Sequence, residues 1–451
     1  MDAALKRYIE DHLPEYVEDM KRLCRQHSVA AQNDGIMECA RLLRDMLEEI
    51  GFQTQQLPTK DPRYPVVYAE RSGHSRKQLL FYNHYDVQPA EPLDLWDSPP
   101  FEPAERDGRI YGRGVSDDKG HLASRIAALK AILAVRGRLP VGVKFCVEGC
   151  EEIGSPGFIP FVQEHRDLLK ADACIWEGGG VDWNGSPQIT LGLKGILYVE
   201  LQVRTAAGDA HSSYATIAPN PAWRLVWALS TLKDKDENIL IPGFYDAVRR
   251  STPLELDAVA KMPDEDDLLK AELGINGFLK GLRGEALRRR HLFEPTCTIC
   301  GIESGYTGEG SKTVLPAVAK VKLDFRLVPD MRPDDILQKL KAHLAVQGFN
   351  DVTVNFADGE PASRTAMDSP FVTLVKDTAR DVYGKEPVMV PTMAGSGPMY
   401  IVSEELGMPI ASSGISAPDE KLHAPNENVR TDLFLKGILH AAAILEEFGK
   451  G

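Results

Sequence analysis

The run Gln78-Leu79-Leu80-Phe81-Tyr82-Asn83-His84-Tyr85-Asp86-Val87-Gln88 constrains the fold of this chain more than any other stretch. Its apolar part is too short for a free-standing helix and reads as a buried strand, with His84 and Asp86 standing where that strand would end. Residues two apart in an extended chain point to the same side. A carboxylate so placed can take one ring N–H of a histidine whose other nitrogen binds a metal. By itself, though, a histidine at a strand end is most simply structural.

The same layout recurs along the chain. Strand-like runs at 66–68, 79–82, 143–147 and 173–176 are interleaved with helical spacing at 5–24, 37–50, 120–135 and 158–169. This alternation predicts an α/β layer with a largely parallel sheet. Near Leu193 the character changes: 195–203 and 319–327 alternate apolar with polar residues, the pattern of strands with one solvated face. With helical patterns at 221–232 and 333–346 and a strand at 352–356, that stretch predicts an α+β module built on an antiparallel sheet. The α/β pattern resumes after Met367, with a helix at 371–382, a strand at 388–390 and a closing helix at 431–448. A chain of 451 residues is long enough for more than one core. The expected organisation is a large domain in two parts, 1–193 and 366–451, interrupted by an inserted domain at 194–365.

Open α/β sheets gather their ligands beyond the strand ends, and there the chain places its acidic residues and histidines. After His84 and Asp86 come Gly112-Arg113-Gly114-Val115-Ser116-Asp117-Asp118-Lys119-Gly120, then Glu148-Gly149-Cys150-Glu151-Glu152, then Trp176-Glu177-Gly178-Gly179, and finally Leu422-His423-Ala424. Taken alone, an aspartate pair at a helix start is most simply a cap. Adjacent carboxylates such as Glu151 and Glu152 repel, so a buried pair needs a cation or a raised pKa. Two histidines and three carboxylates would supply the nitrogen and oxygen donors that zinc accepts. If one aspartate bridges, such a set can hold two metals about 3.5–4 Å apart and leave one glutamate over as a general base.

Composition narrows the remaining classes. The formal net charge of −14 argues against nucleic acid and against an anionic membrane as partner. No apolar run approaches the roughly 20 residues that span a bilayer, and the opening residues form an amphipathic pattern without an apolar leader, so a cytoplasmic location is expected. Seven cysteines, an odd number, do not suggest a disulfide framework. Cys297 and Cys300 have CxxC spacing but lie in a β-rich run with no second pair, which favours a strand.

In their order and wording, the motifs Asn83-His84-Tyr85-Asp86-Val87-Gln88-Pro89, Gly112 to Gly120 and Glu151-Glu152-Ile153-Gly154-Ser155 resemble the co-catalytic zinc peptidases of the carnosinase, carboxypeptidase G and aminoacylase family. They are most similar to its carnosinase and cytosolic non-specific dipeptidase branch. The resemblance covers nearly the whole chain. It implies a zinc-peptidase-like α/β catalytic domain carrying an inserted α+β lid and dimerisation domain. It also implies two divalent metal ions, zinc first, with manganese or cobalt as alternatives. His84, Asp117 and Glu177 would hold one ion and Asp117, Glu152 and His423 the other, with Asp86 orienting His84 and Glu151 as general base. The peptide between Asp117 and Asp118 would be cis. Many members of the carnosinase branch carry aspartate where this chain has Glu177, a change that keeps an oxygen ligand but alters its reach. In the inserted domain, His211 would stabilise the oxyanion from a partner subunit. Arg326 would grip a terminal carboxylate, and Thr313 and Ser396 would complete the substrate pocket. Without the resemblance, His211 would pass for a turn residue and Arg326 for a solvated strand residue.

The expected activity is hydrolysis of the peptide bond of dipeptides or short peptides with a free C-terminal carboxylate, by a metal-bridging hydroxide formed when Glu151, as general base, takes a proton from the bridging water. A homodimer is expected with it. An N-acyl amino-acid deacylase on the same fold is the alternative, and a catalytically silent metal-binding or assembly protein is the alternative from another class.

Overall fold

The amphipathic stretch at 5–24 forms two helices rather than one: α1 (Ala3–Asp11) and α2 (Leu13–Arg25) meet at His12. Pro14, in the first turn of α2, has no N–H with which to continue the α1 ladder. The computed structural model describes residues 1–450, and they divide into two units. The first comprises Met1–Gly192, Arg364–Pro391 and the chain from Ile401 onward; the second comprises Leu193–Ser363 and Thr392–Tyr400. The short return Thr392–Tyr400, which carries Ser396, lies outside the 194–365 span expected for the inserted domain.

In the first unit, α3 (Ile36–Glu49) leads to β1 (Gln53–Leu57), β2 (Val66–Arg71) and β3 (Gln78–His84). α4 (Lys119–Arg136), β4 (Gly142–Glu148) and β5 (Ala173–Trp176) follow. The strands order as β1-β2-β4-β3-β5, with Ile410–Ser412 beside β5. From β4 to Ile410–Ser412 neighbouring strands are parallel, whereas β1 and β2 form an antiparallel flank. The link between β1 and β2 is too short for the crossover that parallel pairing needs, so it closes as a hairpin. Every residue of β4 is buried, and β3 is buried except at its first residue, which is why both read as unbroken apolar runs. α4 is buried over most of its length, packed against β3, α1, α2 and the helix Thr431–Phe448. The predicted helix at 158–169 is likewise two pieces, Phe158–Glu164 and Arg166–Leu169, joined at His165.

The second unit is built on β6 (Gly195–Arg204), α5 (Pro221–Leu229), β7 (Thr298–Ser304), β8 (Val318–Leu327), α6 (Pro333–Val346) and β9 (Thr353–Glu360). The strands form an antiparallel sheet ordered β7-β8-β6-β9. Leu197, Val199, Leu201 and Val203 of β6 join Val321, Leu323 and Phe325 of β8 in one apolar cluster that includes Leu225 of α5 and Ile336 and Leu340 of α6. The alternate residues of β8, Asp324 and Arg326 among them, point to the other face. Three helices between α5 and β7, Pro253–Lys261, Asp266–Leu273 and Gly284–Phe293, have no counterpart in the sequence reading. All seven cysteines are free thiols, and only Cys300, on β7, is exposed. Among the described residues no helix is long and apolar enough to cross a membrane.

Candidate active site

Because β3, β4 and β5 run parallel, their C-terminal ends share one edge of the sheet. His84 is the last residue of β3, Glu151 and Glu152 lie in the turn after β4, and Glu177 follows β5. Asp117 reaches the same edge from the loop that opens α4. That loop depends on Gly120: a Cβ there would lie 1.9 Å from the Val115 carbonyl oxygen.

Asp117 is the hub of the cluster. Its Oδ1 lies 3.0 Å from Nε2 of His84 and its Oδ2 lies 2.9 Å from Nε2 of His423. His84 Nε2 is also 3.8 Å from Glu177 Oε2, and His423 Nε2 is 3.2 Å from Glu152 Oε2. The structure therefore brings His84, Asp117, Glu152, Glu177 and His423 together around one shared aspartate.

Two supporting groups make contacts beyond those expected of them. Nδ1 of His84 is nearer the backbone carbonyl of Asp86, at 3.0 Å, than its carboxylate, at 3.4 Å. The Asp86 carboxylate also accepts the N–H groups of Glu151 at 3.1 Å and Glu152 at 3.0 Å, fixing the turn that presents both glutamates. Asp118 stands at the cap position of α4 but makes no capping bond. Its carboxylate accepts from Nδ2 of Asn83 and from the N–H of His84. The Asp117-Asp118 peptide is cis.

Burial and mutual interaction shift the titration of the whole cluster. Burial pushes the Glu177 carboxyl well above its ordinary range, and its Oε2 is buried without a hydrogen-bond partner among the described residues. Burial likewise raises Glu151 to about 7, with the neighbouring charges of Glu152, Asp117 and Asp86 adding to it. Bonds to Asp117 and Glu152 raise His423 to about 10. His84, although burial opposes it, is also held well above its usual value by Asp117 and Asp86. The His84 and His423 rings stand at the gaps between these carboxylates. A divalent ion in the same gaps would meet only nitrogen and oxygen donors, the set that zinc and similar ions take. His84, Asp117 and Glu152 offer ligand atoms all within 4.8 Å of one another, as do His84, Asp118 and Glu177. The residues present thus fit bound metal.

The remaining predicted residues belong to the second unit and form two pairs. His211 Nε2 lies 3.3 Å from Thr313 Oγ1, and its Nδ1 accepts the Ser213 N–H at 3.1 Å. Arg326 Nη1 donates to Ser396 Oγ at 2.8 Å, and its Nε lies 3.2 Å from Asp324. Arg326 opens on a cavity of about 660 Å³ whose walls include Ile275, Phe278, Leu287 and Pro295.

Sequence reasoning missed Gln88, which donates to Glu152 Oε2 at 2.9 Å, and Glu427. The buried Glu427 carboxylate accepts the N–H groups of Gly114, Ser116 and Asp117, and pairs with Arg113 Nη1 at 2.6 Å. A lone glutamate a few residues after His423 carries no pattern that would reveal this.

The chain matches the description Peptidase family M20/M25/M40 over residues 80–447. It is 29% identical to human Beta-Ala-His dipeptidase over 98% of this chain and 91% of the relative. To Cys-Gly metallodipeptidase dug1 of Schizosaccharomyces pombe it is 31% identical, over 86% and 84%. Among solved structures, the M20 family metallo-carboxypeptidase Sso-CP2 from Sulfolobus solfataricus aligns with a TM-score of 0.90 at 39% identity, covering 97% of this chain and 100% of that one. Human carnosine dipeptidase 1 aligns with a TM-score of 0.79 at 26% identity, covering 99% and 98%. With its fold and its cluster of ligand-competent side chains already described, the chain belongs to Peptidase family M20/M25/M40 and is a metal-dependent hydrolase of the dipeptidase type.

Proposed function

We propose that this enzyme hydrolyses the peptide bond of dipeptides or short peptides that carry a free C-terminal carboxylate. The observation that carries the reading is the placement of His84 and His423 on opposite oxygens of Asp117, with Glu152 and Glu177 flanking them. In this reading His84, Asp117 and Glu177 hold one divalent cation and Asp117, Glu152 and His423 hold a second. Zinc is the first choice, and manganese or cobalt would satisfy the same donors. Bound there, the cations would lower the pKa of a water and polarise the scissile carbonyl.

The chain's own residues supply the rest. Glu151 sits among charges, whereas Glu152 is tethered by Gln88 and His423, which suits Glu151 to take the proton of the attacking water and return it to the leaving amine. His211 would donate to the oxyanion, and Thr313, at its Nε2, would hold the ring in place. Arg326, braced by Asp324 and Ser396, would bind the substrate carboxylate. The cavity beside it would take the adjoining side chain.

The second unit would be the lid and dimerisation domain. Trp223 and Trp227 stand 58% and 54% exposed on α5, and an uncovered apolar face of that kind suits contact with a second copy. A reducing, cytoplasmic setting fits a chain whose seven cysteines are all unpaired. The deciding experiment is a dipeptide panel with metal analysis, each peptide compared with its N-acetylated form. Hydrolysis of free dipeptides by protein containing about two ions per chain would support the proposal. Turnover of only the acylated forms would replace it with a deacylase, and no turnover of either would overturn the dipeptide reading.

A further inference from the structure

Arg125, on the second turn of α4, is 1% exposed. The parallel ladder between β3 and β5 stops at the pair Phe81 and Ile175. On each strand the next carbonyl accepts from this one guanidinium: Tyr82 O takes Nη1 at 2.6 Å and Trp176 O takes Nη2 at 2.7 Å. Arg125 therefore does, across the diverging strand ends, what the ladder does further back. Glu177 is the residue after Trp176, and His84 is the second residue after Tyr82.

A second path runs through side chains. Nη1 also donates to Oδ1 of Asn83. Asn83 donates through Nδ2 to the Asp118 carboxylate, which in turn accepts the N–H of His84 at 3.2 Å. The guanidinium rests against the Phe81 ring, 5.3 Å from its centroid, so its plane is held on one side by packing and along its edge by carbonyls. Its charge faces Asp118 and Glu177.

We propose that Arg125 is a positioning residue for the His84, Asp117 and Glu177 side of the centre: it fixes the gap between the ends of β3 and β5, and with it the separation of the His84 and Glu177 ligand atoms. The proposal rests on the two-cation reading above. It assigns no such role toward Glu152 and His423, which come from other loops. A purely structural arginine would change the melting temperature and leave the two cation affinities in their native ratio.

The test is stepwise cobalt binding, followed by competition with a chromophoric chelator and by the visible spectrum of the bound ion, on the full chain and on Arg125→Lys and Arg125→Met. An ammonium is a point charge that does not span two strands at once, so Arg125→Lys keeps the buried charge and loses the bridge. In the lysine variant one cobalt should bind as in the native protein. The other should weaken about 10- to 100-fold, the effect typical of groups that orient metal ligands, with an altered spectrum. The kcat should fall while KM moves little. Arg125→Met should show the same loss or a larger one; should it not fold, the lysine variant alone decides. Native affinities for both ions and a native spectrum in Arg125→Lys would overturn the proposal. If the native chain itself binds no pair of ions, the reading of the centre fails and this inference falls with it.

Discussion

The backbone N–H of Asp117 donates to the buried carboxylate of Glu427 at 3.1 Å, so the residue shared by both halves of the cluster is held in place by a side chain from 310 positions further along the chain. That carboxylate also receives Gly114 and Ser116 and neutralises Arg113. Glu427→Ala should therefore cost about 3–5 kcal/mol, because it strands a buried arginine as well as three N–H groups. Glu427→Gln, which keeps an acceptor, should cost less. Denaturant unfolding of both variants, with metal content measured alongside, checks the order.

Glu151→Gln should lower kcat by about 10²–10⁴, the usual worth of a general base, and leave the bound metal unchanged, since the ligand atoms assigned to the cations belong to other residues. Metal analysis and turnover on the same preparation test both halves. A variant that keeps native turnover would remove Glu151 from the role.

Metal loading at pH 7 should release protons. In the metal-free protein bonds to Asp117 and Glu152 raise His423 to about 10, so its ring carries a proton at neutral pH, and Asp117 and Asp86 shift His84 in the same direction. A cation can bind only once such protons leave, and its affinity should fall as pH is lowered. Calorimetric titration in buffers of different ionisation enthalpy reads the count directly, and loading without proton release would contradict this assignment.

Arg326→Ala should raise KM for peptides with a free C-terminal carboxylate by roughly 10- to 100-fold, the worth of a charged hydrogen bond. For the corresponding C-terminal amides, poor substrates already, it should change little. Steady-state kinetics on the matched pair separates loss of this contact from a general defect.

His440 sets part of the acid limb of stability. Burial lowers it to about 4, and its ring is satisfied as the neutral form, Nε2 lying 3.1 Å from Val375 O and Nδ1 2.8 Å from Ser413 Oγ. The unfolded chain binds the extra proton first, so stability falls as pH drops from about 6.5 towards 4, by about 2 kcal/mol at pH 5. His440→Gln should flatten that part of the curve when metal-free protein is unfolded in urea at a series of pH values.

Much of the catalytic unit was legible because its strands are buried on both faces and so read as apolar runs, each ending in the residues that reach the cluster. The breaks at His12 and His165 were not, since apolar spacing carries through both. Nor were the helices between α5 and β7, where exposed residues blur the periodicity. Within the candidate site, the residues with metal-ligand chemistry could be picked from motifs. Their supports could not: the aspartate pair read as a cap, and no pattern marked Arg125 or Glu427. Each is defined by a partner dozens to hundreds of residues away, and spacing along the chain does not encode that.

The separation of His84 from His423 also has a consequence for biosynthesis. The ribosome delivers a chain from its N-terminal end, so every residue of the second unit up to Ser363 must emerge before the second imidazole exists. Until then Asp117 has one histidine neighbour instead of two and lacks the carboxylate that anchors its loop. In the proposed two-cation reading, a nascent chain paused before residue 423 still lacks one of the assigned ligands.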